Sequence, residues 1–302
     1  MNNELILTVF TPAYNRAHTI GRTYESLCRQ TSKDFEWLVV DDGSKDNTRE
    51  LVEGWIAEGL IPIRYIYQEN QGMHGAHNTA YRNITTELNV CIDSDDYMPD
   101  DAVEKIVTFW KEHGAEKYAG IVGLDSKEDG TIIGNKFPDG LSQTTLSGYY
   151  HNGGSGDKKL VYRTDVIHNY PDYPRFENER YFSLGYKYLL IDQDYLLLTL
   201  NEPLVIVEYQ TDGSSSSMWK QYWNNPNGFR FLRTEHMRYY HSWKVRVRSC
   251  IHYVAHTIRA RRYKEICSTP YPILTFICLP FGFILYQITK YKVLHNKPMH
   301  VG

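Results

Sequence analysis

Apolar positions in the first hundred residues fall into four short runs, each closed by a polar loop. Leu5 to Phe10, Phe35-Glu36-Trp37-Leu38-Val39-Val40, Ile63-Arg64-Tyr65-Ile66-Tyr67 and Leu88 to Ile92 have the length and the β-branched and aromatic content of strands. Each loop leads into a stretch of helical character. After the first run, Pro12 is expected to stop ladder hydrogen bonding and force a turn through Thr11-Pro12-Ala13-Tyr14-Asn15-Arg16. After the second comes Asp41-Asp42-Gly43-Ser44, with Ser44 or Asp46 placed to cap a helix starting near Thr48. The third ends in Glu69-Asn70-Gln71-Gly72. This βαβ rhythm predicts an α/β fold, a mostly parallel sheet with helices on both faces. Ligands of such sheets bind outside the carboxyl ends of the strands, so the four loops are expected to converge on one crevice.

The fourth loop carries the sharpest chemistry. Cys91-Ile92-Asp93-Ser94-Asp95-Asp96 sets three carboxylates within four residues at the end of an apolar strand. Crowded acids raise each other's pKa unless a cation lies among them. Hard oxygen donors of this kind suit Mg²⁺ or Mn²⁺, and Asp93, Asp95 and Asp96 are the candidate ligands. A diphosphate is the natural third party, since a metal bridging its oxygens stabilises the charge that develops as it departs. Tyr14 offers an aromatic face for a base.

In order and spacing, Phe10-Thr11-Pro12-Ala13-Tyr14-Asn15, Val39-Val40-Asp41-Asp42-Gly43-Ser44, Asn70-Gln71-Gly72 with Ala76 and Asn78, and Asp93-Ser94-Asp95-Asp96 resemble the nucleotide-sugar-binding half of family two glycosyltransferases. That family has the GT-A fold, and this part of the resemblance covers roughly residues 4 to 125. It implies that Pro12, Tyr14 and Asn15 line the nucleoside site and that Asp41 or Asp42 accepts a hydrogen bond from the base. It also implies that Asp93 and Asp95 form a DXD element holding the metal-bound diphosphate, with Thr11, Asn70, Gly72, Asn78 and Ser94 beside the donor. Where relatives often read Gly-Lys-x-x-Ala-x-Asn, this chain has Gly72-Met73-His74-Gly75-Ala76-His77-Asn78. His74 or His77 is the candidate to contact phosphate in place of the missing lysine.

Further along, Gly156-Asp157-Lys158-Lys159, the strand-like Leu160-Val161-Tyr162, Phe176 to Phe182, Glu202 to Tyr209 and Asp212-Gly213-Ser214 resemble the capsule and cell-envelope subgroup, extending the likeness to about residue 228. That subgroup is expected to carry a Glu in a Gly-Glu-Lys-Phe-like run and a second Glu five residues on. Glu179 fits the first position, but Leu184 stands at the second. An inverting transfer needs one carboxylate to take the proton of the acceptor hydroxyl. Glu179 ranks first for that role, Glu177 second and Asp157 third, each also able to serve as an ion-paired acid near Arg175, Arg180 or Lys158. The aromatics Phe176, Tyr181 and Phe182 around Glu179 suit either an apolar wall at the site or ordinary core.

Composition narrows the setting. The 302 residues, 42% hydrophobic and 23% charged, suffice for a sizeable core. Five dispersed cysteines show neither a disulfide framework nor a CxxC metal site. Met1-Asn2-Asn3-Glu4 runs straight into the first strand without the basic segment of a signal peptide, which points to a cytoplasmic protein. Residues 125 to 158 form a loop-rich stretch long enough for a lid over the donor. The net charge of −3 hides an asymmetry, because residues 229 to 264 hold ten Arg or Lys and one acid, Glu235, giving +9 against −12 elsewhere. Tyr271 to Tyr286 then runs without a charge, broken by Pro272, Pro280 and Gly282. Sixteen such residues make a poor spanning helix but suit an interfacial hairpin on an anionic leaflet. A basic helix and buried hairpin packed on the core is the other arrangement this pattern allows. No nucleic-acid-binding motif accompanies the charge.

The expected organisation is a glycosyltransferase domain over 1–228, with a nucleotide-sugar half at 1–125 and an acceptor half at 126–228, followed by a helical, membrane-associating extension at 229–302. The expected activity is inverting, metal-dependent transfer from a nucleotide-diphosphate sugar, a UDP-sugar, to a saccharide or polyprenyl-linked acceptor in cell-surface polysaccharide synthesis, peripheral on the cytoplasmic face of the inner membrane. The rivals are a nucleotidyltransferase, which lacks here an early Gly-rich basic loop, and a membrane-bound sugar-nucleotide-binding subunit without catalysis. A Rossmann dehydrogenase is disfavoured because no GxGxxG follows the first strand.

Overall fold

A computed structural model describes residues 5–208 and 218–295. The chain divides into two compact units. One takes Met1–Asp172 with Lys187–Glu208, and the other Tyr173–Tyr186 with Tyr209–Gly302. The motif at Asp212-Gly213-Ser214 and the serines 214 to 217 lie outside the described residues.

The first unit is built on an eight-stranded sheet. In chain order its elements are β1 (Leu7–Ala13), α1 (Ile20–Cys28), β2 (Phe35–Asp41), α2 (Thr48–Glu58), β3 (Ile63–Tyr67), α3 (Met73–Asn83), β4 (Leu88–Cys91), α4 (Ala102–His113) and β5 (Tyr118–Ser126). There follow β6 (Gln143–Thr144), α5 (Leu146–His151), β7 (Lys158–Arg163), α6 (Thr164–His168), α7 (Gly185–Ile191), whose first two residues belong to the second unit, and β8 (Leu196–Ile206). The strand order is β3-β2-β1-β4-β7-β5-β8-β6. β3, β2, β1 and β4 pair in parallel, as do β5 and β8, while β7 runs antiparallel to both β4 and β5. Alternation along β1 explains why both faces carry helices. Leu7 and Val9 join a core with Ile20 and Leu27 of α1, Val52 of α2 and Ile106 of α4. Phe10 points the other way and meets the rings of His77 and Tyr81 on α3 edge-on, at centroid distances of 5.1 and 5.4 Å.

Pro12 does not end the first strand. β1 continues to Ala13, with Pro12 opposite Val40 of β2. On its other side, pairing with β4 stops at Phe10 and Cys91, so beyond that point the ladder has no neighbour strand there. The turn comes later, at Asn15, whose φ is 55°. The loop-rich stretch after β5 is also more ordered than its composition suggests. Lys158 Nζ is buried and donates to the carbonyls of Ile133, Ser155, Gly156 and Asp157. Gly134 and Gly156, both at positive φ, let the two arms of this loop touch, since a Cβ on Gly134 would lie 2.1 Å from the Ser155 carbonyl.

The second unit is helical, with α8 (Met218–Asn224), α9 (Pro226–Tyr239), α10 (Trp243–Arg259), α11 (Pro272–Ile277) and α12 (Leu279–Leu294). Phe182 and Tyr186 pack on Phe231 of α9, so the aromatics around Glu179 belong to this unit's core. Met237, Cys250, Tyr253 and Cys278 close a smaller cluster between α9, α10 and the α11–α12 junction. No helix among the described residues is long and apolar enough to cross a membrane.

Candidate functional site

Three of the four loops expected to converge are tied together by hydrogen bonds at the carboxyl edge of β1, β2 and β3, and the fourth leaves β4, which runs parallel to β1, at the same edge. Asn15 of the first loop donates its N–H to Ser44 Oγ of the second at 2.8 Å and accepts the Lys45 N–H through Oδ1 at 2.8 Å. Asp42 binds the second loop to the third, its Oδ1 accepting from Gln68 Nε2 and the Gln71 N–H and its Oδ2 from the Gly72 N–H. Asn70 returns a bond to the Asp42 carbonyl, and Gly43, at a φ of 85°, leaves the room for Asn70 N to come that close. Burial raises the pKa of Asp42, while those three donors pull it back down. Asp41 accepts the Ser44 N–H and the Tyr65 hydroxyl, so both acids of this turn are building the loops. Asp46 accepts the N–H of Thr48, the first residue of α2, but the N-cap position is Asn47, whose side chain makes no capping bond.

The donor candidates separate by exposure. Tyr14 stands 46% exposed at the loop tip, and Pro12, Asn15, Asn70 and Gly72 are half-buried around it. Thr11 is fully buried, its hydroxyl accepting the indole N–H of Trp37, and Asn78 is buried on α3. The two histidines offered as phosphate contacts are both buried. His74 is 2% exposed and His77 not at all. His77 lies among Phe10, Tyr81 and Cys91, where burial holds its pKa down at about 3, so at neutral pH it is an uncharged part of the core.

The acid run is split by its own alternation. Cys91, Asp93, Asp95 and Tyr97 are half-exposed, whereas Ile92, Ser94, Asp96 and Met98 are buried. Asp93 and Asp95 therefore stay accessible, in a turn closed by the Asp96 N–H on the Asp93 carbonyl, and Asp96 does not. Asp96 Oδ1 accepts the Glu208 N–H at 3.1 Å just past β8, and its carbonyl accepts the Thr23 hydroxyl. Burial lifts the Asp96 pKa to about 8, with Asp93, Asp95 and Asp125 adding to the rise and Lys159 opposing it. Asp96 is thus a buried tie rather than an outward ligand. Among the described residues no three His, Cys, Asp or Glu side chains are grouped to hold one ion, so the acids of this turn do not form a common cage.

Two residues of this corner were missed by reading the sequence. Lys159, on β7, donates to the Cys91 carbonyl at 3.2 Å. Burial lowers its pKa, but the carboxylates of Asp125, Asp93 and Asp96 outweigh that and hold it charged. It is a half-buried counter-ion to the acid run. Asp125, near the end of β5, is 3% exposed, and its Oδ1 makes no hydrogen bond among the described residues. Both carried a signal, an acid closing the apolar run Ala119 to Leu124 and a lysine entering an apolar strand.

The three acids ranked as proton acceptor part company as well. Both oxygens of Glu179 cap the start of α9. Oε1 accepts the N–H and the side-chain amide of Asn227, and Oε2 accepts the Gly228 N–H, each at 2.8 Å. The side chain is 6% exposed. Satisfying the orphan donors of a helix start is a structural role of a kind that sequence spacing of 48 residues hides. Glu177 is exposed in the same unit, and Asp157 is exposed in the first unit. Because β7 runs against its neighbours, its first residues lie where the parallel strands end, with Lys158 opposite Leu124. Asp157 therefore stands on the same edge of the sheet as Asp93 and Asp95.

Comparison with known proteins matches this geometry. The first curated relative is an uncharacterized glycosyltransferase of Nostoc sp., 34% identical over 101 residues, a match covering 33% of this chain and 31% of that protein. The chain thus spans about a third or less of the length of the first such relatives. Among solved structures, S. aureus TarS 1–349 in complex with UDP-GlcNAc aligns with a TM-score of 0.60 and 16% identity, covering 96% of this chain and 92% of that one. The mannosyltransferase PcManGT of Pyrobaculum calidifontis, in complex with GDP-Man and Mn²⁺, aligns with a TM-score of 0.54 and 15% identity over 94% of this chain and 82% of that one. At such identities the two structures show a shared GT-A-type fold, α/β with a mostly parallel sheet. The sequence profile of glycosyl transferase family 2 matches residues 8–175, more than half of the chain, and this protein belongs to that family.

Proposed function

We propose that the chain transfers a sugar, with inversion, from a UDP-sugar to a saccharide or polyprenyl-linked saccharide in the building of a cell-surface polysaccharide, using Mn²⁺ or Mg²⁺. The setting is cytoplasmic, peripheral on the cytoplasmic face of the inner membrane. One observation carries the reading: alternate burial turns Asp93 and Asp95 outward at the end of β4, on the edge where Asn15, Asp42 and Gly72 are tied into one set of loops. Two carboxylates suit a hard cation that takes its other ligands from phosphate and water, so Asp93 and Asp95 would hold the ion. Bound there, it would supply compensation for the charge developing on the departing diphosphate. The binding of UDP-GlcNAc by the TarS domain and of Mn²⁺ by PcManGT supports this choice of donor and cofactor.

The chain's own residues divide the remaining work. Tyr14 gives the base a face to lie on, and Lys159 offsets the charge of the acid run. Asp157 is the proposed proton acceptor, because it is exposed and shares an edge with Asp93 and Asp95, whereas Glu179 is engaged at α9. A donor-binding subunit without catalysis is the second reading, favoured by that engagement of Glu179. The test is turnover of UDP-sugars with and without Mn²⁺ in wild type and Asp95→Ala. Metal-dependent turnover abolished by the substitution is expected. Donor binding with no hydrolysis or transfer under any metal would favour the second reading, and full activity of Asp95→Ala would overturn the site.

A further inference from the structure

Half of the large apolar and aromatic side chains exposed among the described residues fall between positions 273 and 294. They stand on α11 and α12. One side of this helix pair is closed by α10, where Gly282 passes so near that a Cβ would lie 2.3 Å from Val254 Cγ1, and Thr275, Cys278 and Thr289 are buried along the same stripe. The opposite side carries Phe276, Phe281, Ile284, Ile288, Tyr291 and Leu294, from 43% to 69% exposed. The first half of α12, Leu279 to Tyr286, is therefore apolar on every side, yet the protein covers only one side of it.

The charge around this face says what covers it. From residue 229 to the end of the chain the only acids are Glu235 and Glu265. Glu235 pairs with Arg238, and Glu265 with Arg230 and Arg262. That leaves the other described cations of this segment, Lys244, Arg248 and Lys290 among them, with no ion pair to an acid of the segment. An apolar groove beside α12 brings Trp243, Lys244, Val247, Arg248, Ile251 and Leu285 together, so aromatic, apolar and cationic groups share one border. A second copy of the chain would bring like charge against like charge, whereas anionic headgroups above an acyl layer satisfy both the cations and the apolar side.

We propose that α11 and α12 lie in the interface of an anionic lipid leaflet, with Phe276, Phe281, Ile284 and Leu294 in the acyl region and Lys244, Arg248 and Lys290 at the phosphates. This specifies the membrane-side setting proposed above and rests on it for the acceptor's location alone. The test is flotation of the full chain with phosphatidylcholine vesicles, with and without phosphatidylglycerol. Phosphatidylglycerol-dependent flotation is expected, falling about tenfold or more in the double variant Phe281→Glu, Ile284→Glu. A Lys244→Glu, Lys290→Glu variant should lose the dependence on phosphatidylglycerol while keeping its weak binding to neutral vesicles. All these positions are exposed, and thermal unfolding and UDP-sugar binding measured on the same samples show whether each variant is folded. Equal flotation of wild type and the Phe281→Glu, Ile284→Glu variant would overturn the proposal. So would absence of flotation with a concentration-dependent dimer, dispersed by that variant, in sedimentation. Either result with UDP-sugar binding intact would leave the transfer reaction standing.

Discussion

Replacing Glu179 by Gln separates two roles that make opposite predictions. As the cap of α9, the carboxylate accepts three hydrogen bonds at 2.8 Å, two of them from backbone N–H groups in the first helical turn. The amide keeps one accepting oxygen and turns an NH₂ toward a backbone donor. Losing one charge-assisted bond and leaving a buried donor unsatisfied costs about 1.5–3 kcal/mol, and removing the negative charge from the positive end of the helix adds roughly 0.3–1 kcal/mol. The expected loss is therefore about 2–4 kcal/mol in the second unit, or roughly 30- to 1000-fold in its opening equilibrium. Gly228 sharpens the case, since a Cβ there would sit 3.3 Å from Glu179 Oε2, so Gly228→Ala should press on the same bond from the other side.

Hydrogen exchange of the α9 amides reads this directly, with urea unfolding as the global measure. Faster exchange from Phe229 to Leu232 and a lower unfolding midpoint are expected. Turnover at saturating donor, measured well below the unfolding transition, should change by less than about tenfold, because a cap does not touch the reacting atoms. A general base would behave otherwise, with unchanged stability and a fall in turnover of about 10² to 10⁴. That second pattern would refute the capping argument and return Glu179 to the head of the ranking.

Asp157→Asn should lower turnover by about 10² or more with donor affinity little changed, while Glu177→Gln stays near wild type; the reverse outcome in parallel kinetic assays would move the base to the second unit. Lys159→Met leaves Asp93, Asp96 and Asp125 without the nearby cation, so stability should fall by about 1 kcal/mol. Mn²⁺ should then raise the melting temperature of the variant more than that of wild type; equal shifts would deny Lys159 its counter-ion role. Lys187 is 1% exposed, and burial lowers its pKa from 10.5 to about 8, with Asp172 opposing and Arg82 assisting. Its unfolded form holds the proton longer, so the chain should gain up to about 3 kcal/mol as pH rises from near 8 toward 10.5. Lys187→Met should remove that gain and be more stable at neutral pH; melting curves across that range decide it.

The parallel half of the sheet could be read from the chain because its strands announce themselves twice, by apolar runs and by the polar loops that end them. β2 and β3 fall where the runs at 35–40 and 63–67 place them. Pro12 misled because a proline's cost depends on whether a neighbour strand needs its N–H, and sequence alone does not tell that the β4 ladder has already stopped at Phe10. β7 could be seen as a strand but not as an antiparallel one, since direction within a sheet is decided by partners far away in the chain. That reversal is what brings Asp157 and Lys159 to the donor edge, and it is why an acid ranked third by motif position gains by geometry.

The acid run shows how a motif and a fold divide the same residues between them. Read as composition, Asp93, Asp95 and Asp96 are three equivalent donors of hard oxygen. The fold makes them unequal, because in the turn closed by the Asp96 N–H on the Asp93 carbonyl Asp93 and Asp95 stay half-exposed while Asp96 is buried. The outward pair lies two residues apart and can face a diphosphate together. The inward acid has to find partners in the protein, and it finds the Glu208 N–H and, across a few residues of β7, the charge of Lys159. Lys159, half-buried on β7, supplies positive charge to the acid run from the protein itself. It follows that metal affinity and folding are separable at this corner, which is what makes the Lys159→Met and Asp95→Ala variants independent tests: the first should change how far Mn²⁺ stabilises the fold, the second whether Mn²⁺ supports donor binding at all.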